Sequence, residues 1–218
     1  MILLKMRDIY KQACQVHILR YLYLNYFCKN VQRCGKGKII PYKGAVINLE
    51  PDSQIVVGEE NIQIGTNKLR GSKAETYIRL RTGAHWNANG GCLISYGATI
   101  EVLQNAVLKT GYFSMNSFSV LIAAQKITIG QDVMIGRNVV IYDSDFHKIN
   151  NDSSPSKPVC IQDHVWIASN AMILKGTEVG AGAVIAANTL VTRDVSDRVM
   201  VAEKRSLTVL GEKVSWQR

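Results

Sequence analysis

Residues 161–196 divide into six consecutive blocks of six residues: Ile161-Gln-Asp-His-Val-Trp, Ile167-Ala-Ser-Asn-Ala-Met, Ile173-Leu-Lys-Gly-Thr-Glu, Val179-Gly-Ala-Gly-Ala-Val, Ile185-Ala-Ala-Asn-Thr-Leu and Val191-Thr-Arg-Asp-Val-Ser. Every block opens with Ile or Val, and its fifth position holds only Val, Ala or Thr. A period of six matches neither the 3.6-residue period of an α-helix nor the two-residue period of an ordinary strand. The pattern is therefore a short internal repeat.

A six-residue repeat predicts a triangular solenoid in which three blocks make one turn. The opening aliphatic side chain of each block points inward from a face, and the small or β-branched fifth residue fits near a corner. Backbone hydrogen bonds between stacked turns, as in a parallel sheet, bury a continuous apolar column. We therefore predict an all-β domain, a parallel β-helix, over residues 35–203.

The repeat is also regular upstream, where it breaks once. Three further blocks open with Ile129, Ile135 and Ile141. His147 then stands where the next inward aliphatic residue is due, and a polar segment with two prolines separates it from Ile161. A repeat that breaks at a histidine preceded by carboxylates, and then restarts in strict periodicity, marks a candidate functional site. We expect a loop at about residues 148–158.

The net charge of +9 is concentrated near the N-terminus. Residues 1–43 carry nine basic residues against the single acidic residue Asp8, and the rest of the chain is nearly neutral. Residues 1–34 are rich in Leu, Ile and Tyr and predict a basic amphipathic helical segment that caps the solenoid or joins subunits. The alternative interpretation is peripheral contact of this segment with an anionic membrane surface.

Composition excludes several classes of protein. Charged residues interrupt the apolar N-terminal stretch, so we predict neither a signal peptide nor a transmembrane span. The five cysteines have no C-x-x-C spacing, which argues against a disulfide framework or a zinc knuckle. We expect a reduced cytoplasmic protein, with the inner face of the membrane as the alternative location, and no nucleic-acid partner.

Three features together resemble a known family, the hexapeptide-repeat acyltransferases, and among them the galactoside and maltose O-acetyltransferases. They are the repeat itself, the pair Val165-Trp-Ile-Ala-Ser-Asn170 and Val191-Thr-Arg-Asp194, and the segment Asp143-Ser-Asp-Phe-His147. The resemblance is best over residues 90–205. It implies a left-handed β-helix, a homotrimer, and acetyl-CoA as the co-substrate with no metal required.

The resemblance also implies the catalytic residues. His147 matches the catalytic histidine of the family, and imidazole has a pKa suited to a general base near neutral pH. Asp145 or Asp143 would hold the other ring nitrogen and so set the tautomer. His164 lies inside an unbroken block, and we interpret it as a structural corner residue.

The same family positions suggest where the two substrates bind. Asn116 resembles the asparagine that contacts the acceptor sugar, and Trp166 either packs beside the pantetheine groove or contacts the sugar. Further positions match those that hold acetyl-CoA: Ser169, Ala187, Thr192 and Arg193. The usual Gly-x-Pro-Ala-Lys is replaced here by residues 202–206, so Lys204 and Arg205 are the candidates for the nucleotide phosphates.

We therefore predict an acetyl-CoA-dependent O-acetyltransferase that acts on a sugar hydroxyl, in capsule, O-antigen or exopolysaccharide synthesis. The tail, residues 204–218, is similar near Glu212–Trp216 to the tails of bacterial surface-polysaccharide acetyltransferases. One alternative is an N-acetyltransferase of an amino sugar nucleotide. Another is a non-catalytic trimeric scaffold.

Overall fold

The computed structural model describes residues 15–147 and 155–204. Within these ranges the chain forms one helix, α1 (Ile18–Tyr26), followed by 22 short strands. The strands are β1 (Val31–Arg33), β2 (Ile39–Pro41), β3 (Ala45–Leu49), β4 (Gln54–Val57), β5 (Ile62–Thr66), β6 (Thr76–Leu80), β7 (His85–Ala88), β8 (Cys92–Ser95), β9 (Thr99–Val102), β10 (Val107–Thr110), β11 (Phe113–Met115), β12 (Val120–Ala123), β13 (Lys126–Ile129), β14 (Val133–Ile135), β15 (Val140–Tyr142), β16 (Val159–Ile161), β17 (Trp166–Ile167), β18 (Met172–Ile173), β19 (Glu178–Val179), β20 (Val184–Ile185), β21 (Leu190–Val191) and β22 (Met200–Val201).

Successive strands fall in turn into three parallel sheets. Sheet 1 has the order β1-β4-β7-β10-β13-β16-β19, sheet 2 the order β2-β5-β8-β11-β14-β17-β20-β22, and sheet 3 the order β3-β6-β9-β12-β15-β18-β21. Three strands therefore make one turn of a triangular prism. The predicted fold class, an all-β left-handed parallel β-helix, is confirmed.

The core is the column of residues that open the blocks. In sheet 2, Ile167 pairs with Ile135 on one side and Ile185 on the other, and Ile167 and Ile185 have no exposed surface. The fifth positions are also buried, as Val165 and Ala183 show. Each turn thus places apolar side chains directly over those of the turn before, and the burial of this column stabilises the stack.

The first turns belong to the same prism even though their sequence repeat is irregular. Strands here are up to five residues long, as in β3 and β6, whereas β17 to β22 have two residues each. Longer strands lengthen the interval between corners and so hide the six-residue period. Inward alternation survives, because Ile78 and Leu80 of β6 are both buried.

Helix α1 covers the end of the prism. Its residue Asn25 is buried, donating from Nδ2 to the Ile39 carbonyl at 2.8 Å and accepting at Oδ1 from the Ile39 N–H at 3.0 Å. Ile39 lies on β2, the end strand of sheet 2. The side-chain amide therefore satisfies backbone groups at a strand edge that has no further strand to pair with.

The β-helix begins earlier than predicted. Strand β1, inside the segment predicted to be helical, pairs in parallel with β4 at Val31↔Ile55. The Ile55 N–H donates to the Asn30 carbonyl and the Cys34 N–H to the Val57 carbonyl, so β1 uses backbone groups that would otherwise be unpaired. The prism thus starts at Val31 and not at residue 35. Residues 1–14 of the predicted helical segment, and 205–218 of the tail, lie outside the described residues.

Among residues 15–147 and 155–204, α1 is too short to cross a membrane and no longer apolar helix is present.

One corner of the prism is held by a buried carboxylate. Only two residues separate β12 from β13, and the N–H groups of Ala124, Gln125 and Lys126 all donate to the carboxylate of Asp143, at 2.6, 2.9 and 2.6 Å. Asp143 itself is fully buried on the next turn. Consecutive backbone N–H groups that converge on one point form an anion-binding nest, and here a side chain of the same chain fills it.

We predict that Asp143→Ala lowers the free energy of unfolding by about 3 kcal/mol, because three backbone N–H groups lose the buried carboxylate that accepts from them. Denaturant unfolding at a fixed protomer concentration measures the change. The matched control is Asp163→Ala, which removes the acceptor of one exposed N–H, that of Gln131, and should cost less than about 1 kcal/mol. Equal destabilisation by the two substitutions would contradict this role for Asp143.

Candidate active site

His147 lies where the chain leaves sheet 3 for sheet 1, and its side chain is exposed. The base of its loop is closed by an antiparallel bridge between Ser144 and Ser156, whose hydroxyls lie 2.9 Å apart. The Asp145 N–H also donates to the Pro155 carbonyl at 3.0 Å. Hydrogen bonds thus hold the two ends of the predicted loop close together. Its residues 148–154 lie outside the described part of the chain.

The two carboxylates before His147 have different partners. Asp145 Oδ2 lies 2.5 Å from the Nζ atom of Lys175, and the Asp143 carboxylate accepts the three corner N–H groups. In the described ranges neither carboxylate is hydrogen-bonded to the His147 ring. The prediction that Asp143 orients His147 does not fit this geometry, because both of its oxygens are used at a buried corner.

Lys175 is a residue of this site that the sequence interpretation missed. It belongs to the corner that follows β18, and its side chain is only 19% exposed beside Asp145. The repeat itself could have indicated that Lys175 lies near this site. Ile141 pairs with Ile173, so the third residues of these two blocks, Asp143 and Lys175, are neighbours on stacked turns. The long insertion between the two blocks hides that relation in the linear sequence.

A second group of predicted residues lies on a different edge, between sheets 2 and 3. Asn116 is exposed at the corner after β11, and its N–H donates to the Ile135 carbonyl at 2.9 Å. Ser169 and Ala187 occupy the same edge on later turns. The Ser169 hydroxyl accepts from the Arg137 N–H at 3.3 Å, while Ala187 is exposed.

Trp166 lies on the outer face of sheet 2, and its side chain is half exposed. It belongs to a row of outward apolar residues, here called the sheet 2 stripe: Met134, Trp166, Val184 and Met200. Sheet 3 carries a similar row, the sheet 3 stripe: Val120, Val140, Met172 and Leu190. On the same turns, the corresponding row on sheet 1 is more polar, with Thr128, Cys160 and Glu178 in register.

Three predicted coenzyme residues line one cavity at the C-terminal end of the prism. Thr192, Arg193 and Lys204 border an open cavity with a volume of ≈ 650 Å³. Thr189 also lines it, and its buried hydroxyl has no hydrogen-bond partner among the described residues. Arg205, the remaining predicted phosphate ligand, lies outside the described residues.

A single chain does not bring the two groups of residues together. Asn116 lies before β12, at the start of a sheet 3 strand, whereas His147 follows β15, at the end of the neighbouring strand. Because β12 and β15 run parallel, the width of sheet 3 separates the predicted acceptor residue from the predicted base.

The thiol nearest to the loop is a poor nucleophile. Cys160 lies on β16, directly after the loop, and burial together with the nearby charge of Glu178 raises the pKa of its thiol. A raised pKa keeps sulfur in the protonated, weakly nucleophilic form at neutral pH.

His164, the other histidine of the repeat, is engaged elsewhere. Its Nδ1 atom lies 2.7 Å from Asp132 Oδ2 at an exposed corner between sheets 1 and 2, away from His147. Over 15–147 and 155–204, no three His, Cys, Asp or Glu side chains are grouped as metal ligands.

The chain is similar to a known protein family, to curated proteins and to solved structures. Residues 161–193 match the bacterial transferase hexapeptide family (six repeats). The galactoside O-acetyltransferase of Lactococcus lactis is 32% identical over 102 residues, which are 44% of this chain and 48% of the relative. The 2,3,4,5-tetrahydropyridine-2,6-dicarboxylate N-acetyltransferase of Staphylococcus aureus is 37% identical over 75 residues, 34% of this chain and 29% of the relative.

Among solved structures, the polySia specific acetyltransferase NeuO aligns over 88% of this chain and 90% of its own, with 20% identity and a TM-score of 0.44. The chain spans about half or less of the length of the two curated relatives. Residues 161–193 thus match the bacterial transferase hexapeptide family, and the chain is similar to acetyltransferases that contain this repeat.

Proposed function

We propose that the protein is an acetyl-CoA-dependent O-acetyltransferase that acts on a sugar hydroxyl. The observation that carries this proposal is the single break in the regular repeat, which presents His147 on a loop with a closed base at the edge of the prism. The match to a galactoside O-acetyltransferase extends over 102 residues, against 75 for the N-acetyltransferase. This difference favours a hydroxyl over an amine as the acceptor.

His147 acts as a general base in this proposal. It takes the proton of the sugar hydroxyl as the oxygen attacks the thioester carbonyl carbon of acetyl-CoA. Collapse of the tetrahedral intermediate breaks the carbon–sulfur bond, and the imidazolium returns the proton to the thiolate of CoA. The products are the acetyl ester and free CoA, and no acyl-enzyme is needed, in keeping with the raised pKa of the Cys160 thiol.

Asp145 is the carboxylate that we assign to orienting the His147 ring, because Asp143 is occupied at its corner. Lys175 pairs with Asp145 across the turn. It would hold the carboxylate in position and so restrict the conformations of the segment that leads to His147.

A complete site requires a second copy of the chain. Since sheet 3 separates Asn116 from His147, we propose that the Asn116 edge of one subunit meets the His147 edge of its neighbour in a homotrimer. The sheet 2 and sheet 3 stripes are the apolar surfaces available for such contacts, and the polar face of sheet 1 would remain in solvent.

Acetyl-CoA would then bind between two subunits. The small residues Ser169 and Ala187 leave the corner backbone accessible to the pantetheine chain, with Trp166 on the adjacent face. Thr192, Arg193, Lys204 and Arg205 are the residues proposed for the nucleotide phosphates, where cationic side chains make charge-assisted hydrogen bonds.

The acceptor pathway that we propose is the synthesis of a capsule, O-antigen or exopolysaccharide at the inner face of the membrane. Helix α1 directs a row of exposed apolar residues away from the prism: Ile18, Leu19, Leu22, Tyr23, Tyr26 and Phe27. Residues 15–43 contain six Lys or Arg and no Asp or Glu, and Arg33 and Lys38 lie over the Tyr26 ring at 5.4 and 5.5 Å. Apolar and aromatic groups surrounded by cations suit an anionic lipid surface.

We expect His147→Ala to reduce acceptor-dependent release of free thiol from acetyl-CoA by at least about 100-fold, the usual contribution of a general base. The assay uses a panel of mono- and oligosaccharides, with amino sugars included to test the N-acetyltransferase alternative. His164→Ala is the matched control and should retain wild-type activity, because His164 lies at another corner. Undiminished release in His147→Ala would remove His147 from the mechanism.

For the membrane contact, the double substitution Leu19→Glu, Phe27→Glu should abolish co-sedimentation with vesicles that contain phosphatidylglycerol, because it places negative charge in the apolar row. Leu69→Glu changes another exposed leucine, in the loop after β5, and should leave binding intact. Wild-type protein that fails to bind these vesicles, or that binds pure phosphatidylcholine equally well, would refute the proposed surface.

A further inference from the structure

The edge that carries Asn116 contains a ladder of residues with left-handed backbone. On five successive turns, the fourth residue of the block at this edge has a positive φ. These residues are Gly97, Phe118, Asn138, Asn170 and Asn188, with φ of 77°, 65°, 54°, 60° and 58°. Glycine adopts this conformation freely, and asparagine does so at little cost. Asn138 also donates from Nδ2 to Asn170 Oδ1 at 3.2 Å. Phe118 is the exception in this ladder.

A bulky side chain with left-handed φ is an outlier that costs about 1–2 kcal/mol of conformational strain. Burial does not offset this cost, because the Phe118 side chain is 47% exposed. An asparagine at this position would avoid the strain and continue the ladder. Strained residues of this kind are concentrated at binding and active sites.

The surroundings of Phe118 hold its ring in one orientation. It packs edge-to-face against the largely buried Tyr96, with ring centroids 5.6 Å apart and an interplanar angle of 77°. The ring also lies over Gly97, where a Cβ atom would come within 2.6 Å of it. The glycine thus leaves room for the ring on the turn above, and Tyr96 supports it from behind.

The position of this ring relates it to the proposed site. Phe118 lies two residues after Asn116 on the same corner. The other phenylalanine with left-handed φ among the described residues is Phe146, directly before His147. In the proposed shared site, Phe118 would therefore lie near Asn116 of one subunit, and Phe146 near His147 of the other.

A cavity lies further along the same edge, towards the N-terminal end of the prism. It has a volume of ≈ 510 Å³ and is lined by polar groups such as Gln63, Asn67 and Lys68, together with Leu93. Leu93 lies on β8, the strand that leads into Tyr96 and Gly97. A chain of sugar units bound at Asn116 could therefore continue past Phe118 towards a polar cavity.

We propose that Phe118 is a stacking subsite for a sugar unit next to the one that is acetylated, so that the protein prefers an oligosaccharide to a monosaccharide acceptor. The C–H face of a pyranose ring is apolar, and a rigid, half-exposed aromatic ring provides a matching surface. This inference rests on the proposed O-acetyltransferase function.

Phe118→Asn tests the proposal, because the ladder favours asparagine at this position. The KM for an oligosaccharide acceptor should rise about five- to tenfold, in line with the energy of an aromatic contact. The KM for acetyl-CoA, the KM for a monosaccharide and the oligomeric state should not change, and the Tm should stay equal or rise. Phe118→Trp is the conservative variant and should retain the low oligosaccharide KM.

The outcomes separate the two proposals. A wild-type protein that releases no thiol with any acceptor would overturn the O-acetyltransferase function, and this inference with it. An active wild type whose oligosaccharide KM is unchanged by Phe118→Asn would overturn the subsite alone. Loss of the oligomer or of thermal stability in Phe118→Asn would also overturn it, since Phe118 would then be a structural residue.

Discussion

The parallel pairing of each turn with the next is the constraint on which the whole structure depends. Hydrogen bonds between turns require each strand to lie over the strand of the same sheet on the turn before, as β17 does over β14. Side chains at one position of the repeat are therefore stacked in columns. An inward column forms the core, and the corner and outward columns become edges and stripes whose chemistry is uniform over several turns.

This geometry decides what one chain can do. Residues at the ends of sheet 3 strands cannot approach residues at their beginnings, so His147 and Asn116 remain on separate edges however the loop is arranged. A site that needs both must be formed by two chains. The apolar stripes on sheets 2 and 3 and the polar row on sheet 1 are in keeping with that requirement, because they differ in the surface that another subunit could cover.

The regular blocks were sufficient to predict the fold and the inward residues, because a single period encodes both. What the sequence could not predict depends on local geometry. The three N–H bonds of Asp143 arise from a corner shortened to two residues, and the ion pair of Lys175 depends on pairing across an insertion. The left-handed φ of Phe118 can be anticipated only when Phe118 is aligned with Asn138 and Asn170 on neighbouring turns. Strand β1 was missed because three residues are too few to show a period.

The central claim, a site divided between two subunits, is tested most directly by mixing two variants. His147→Ala and Asn116→Ala chains, each weakly active alone, are co-expressed with different tags, and the doubly tagged oligomers are assayed for thiol release. If each site combines His147 of one chain with Asn116 of its neighbour, every mixed trimer contains one intact site in three, so the doubly tagged oligomers should have about a third of the wild-type activity. Activity no higher than the mean of the two separate variants would contradict the shared site.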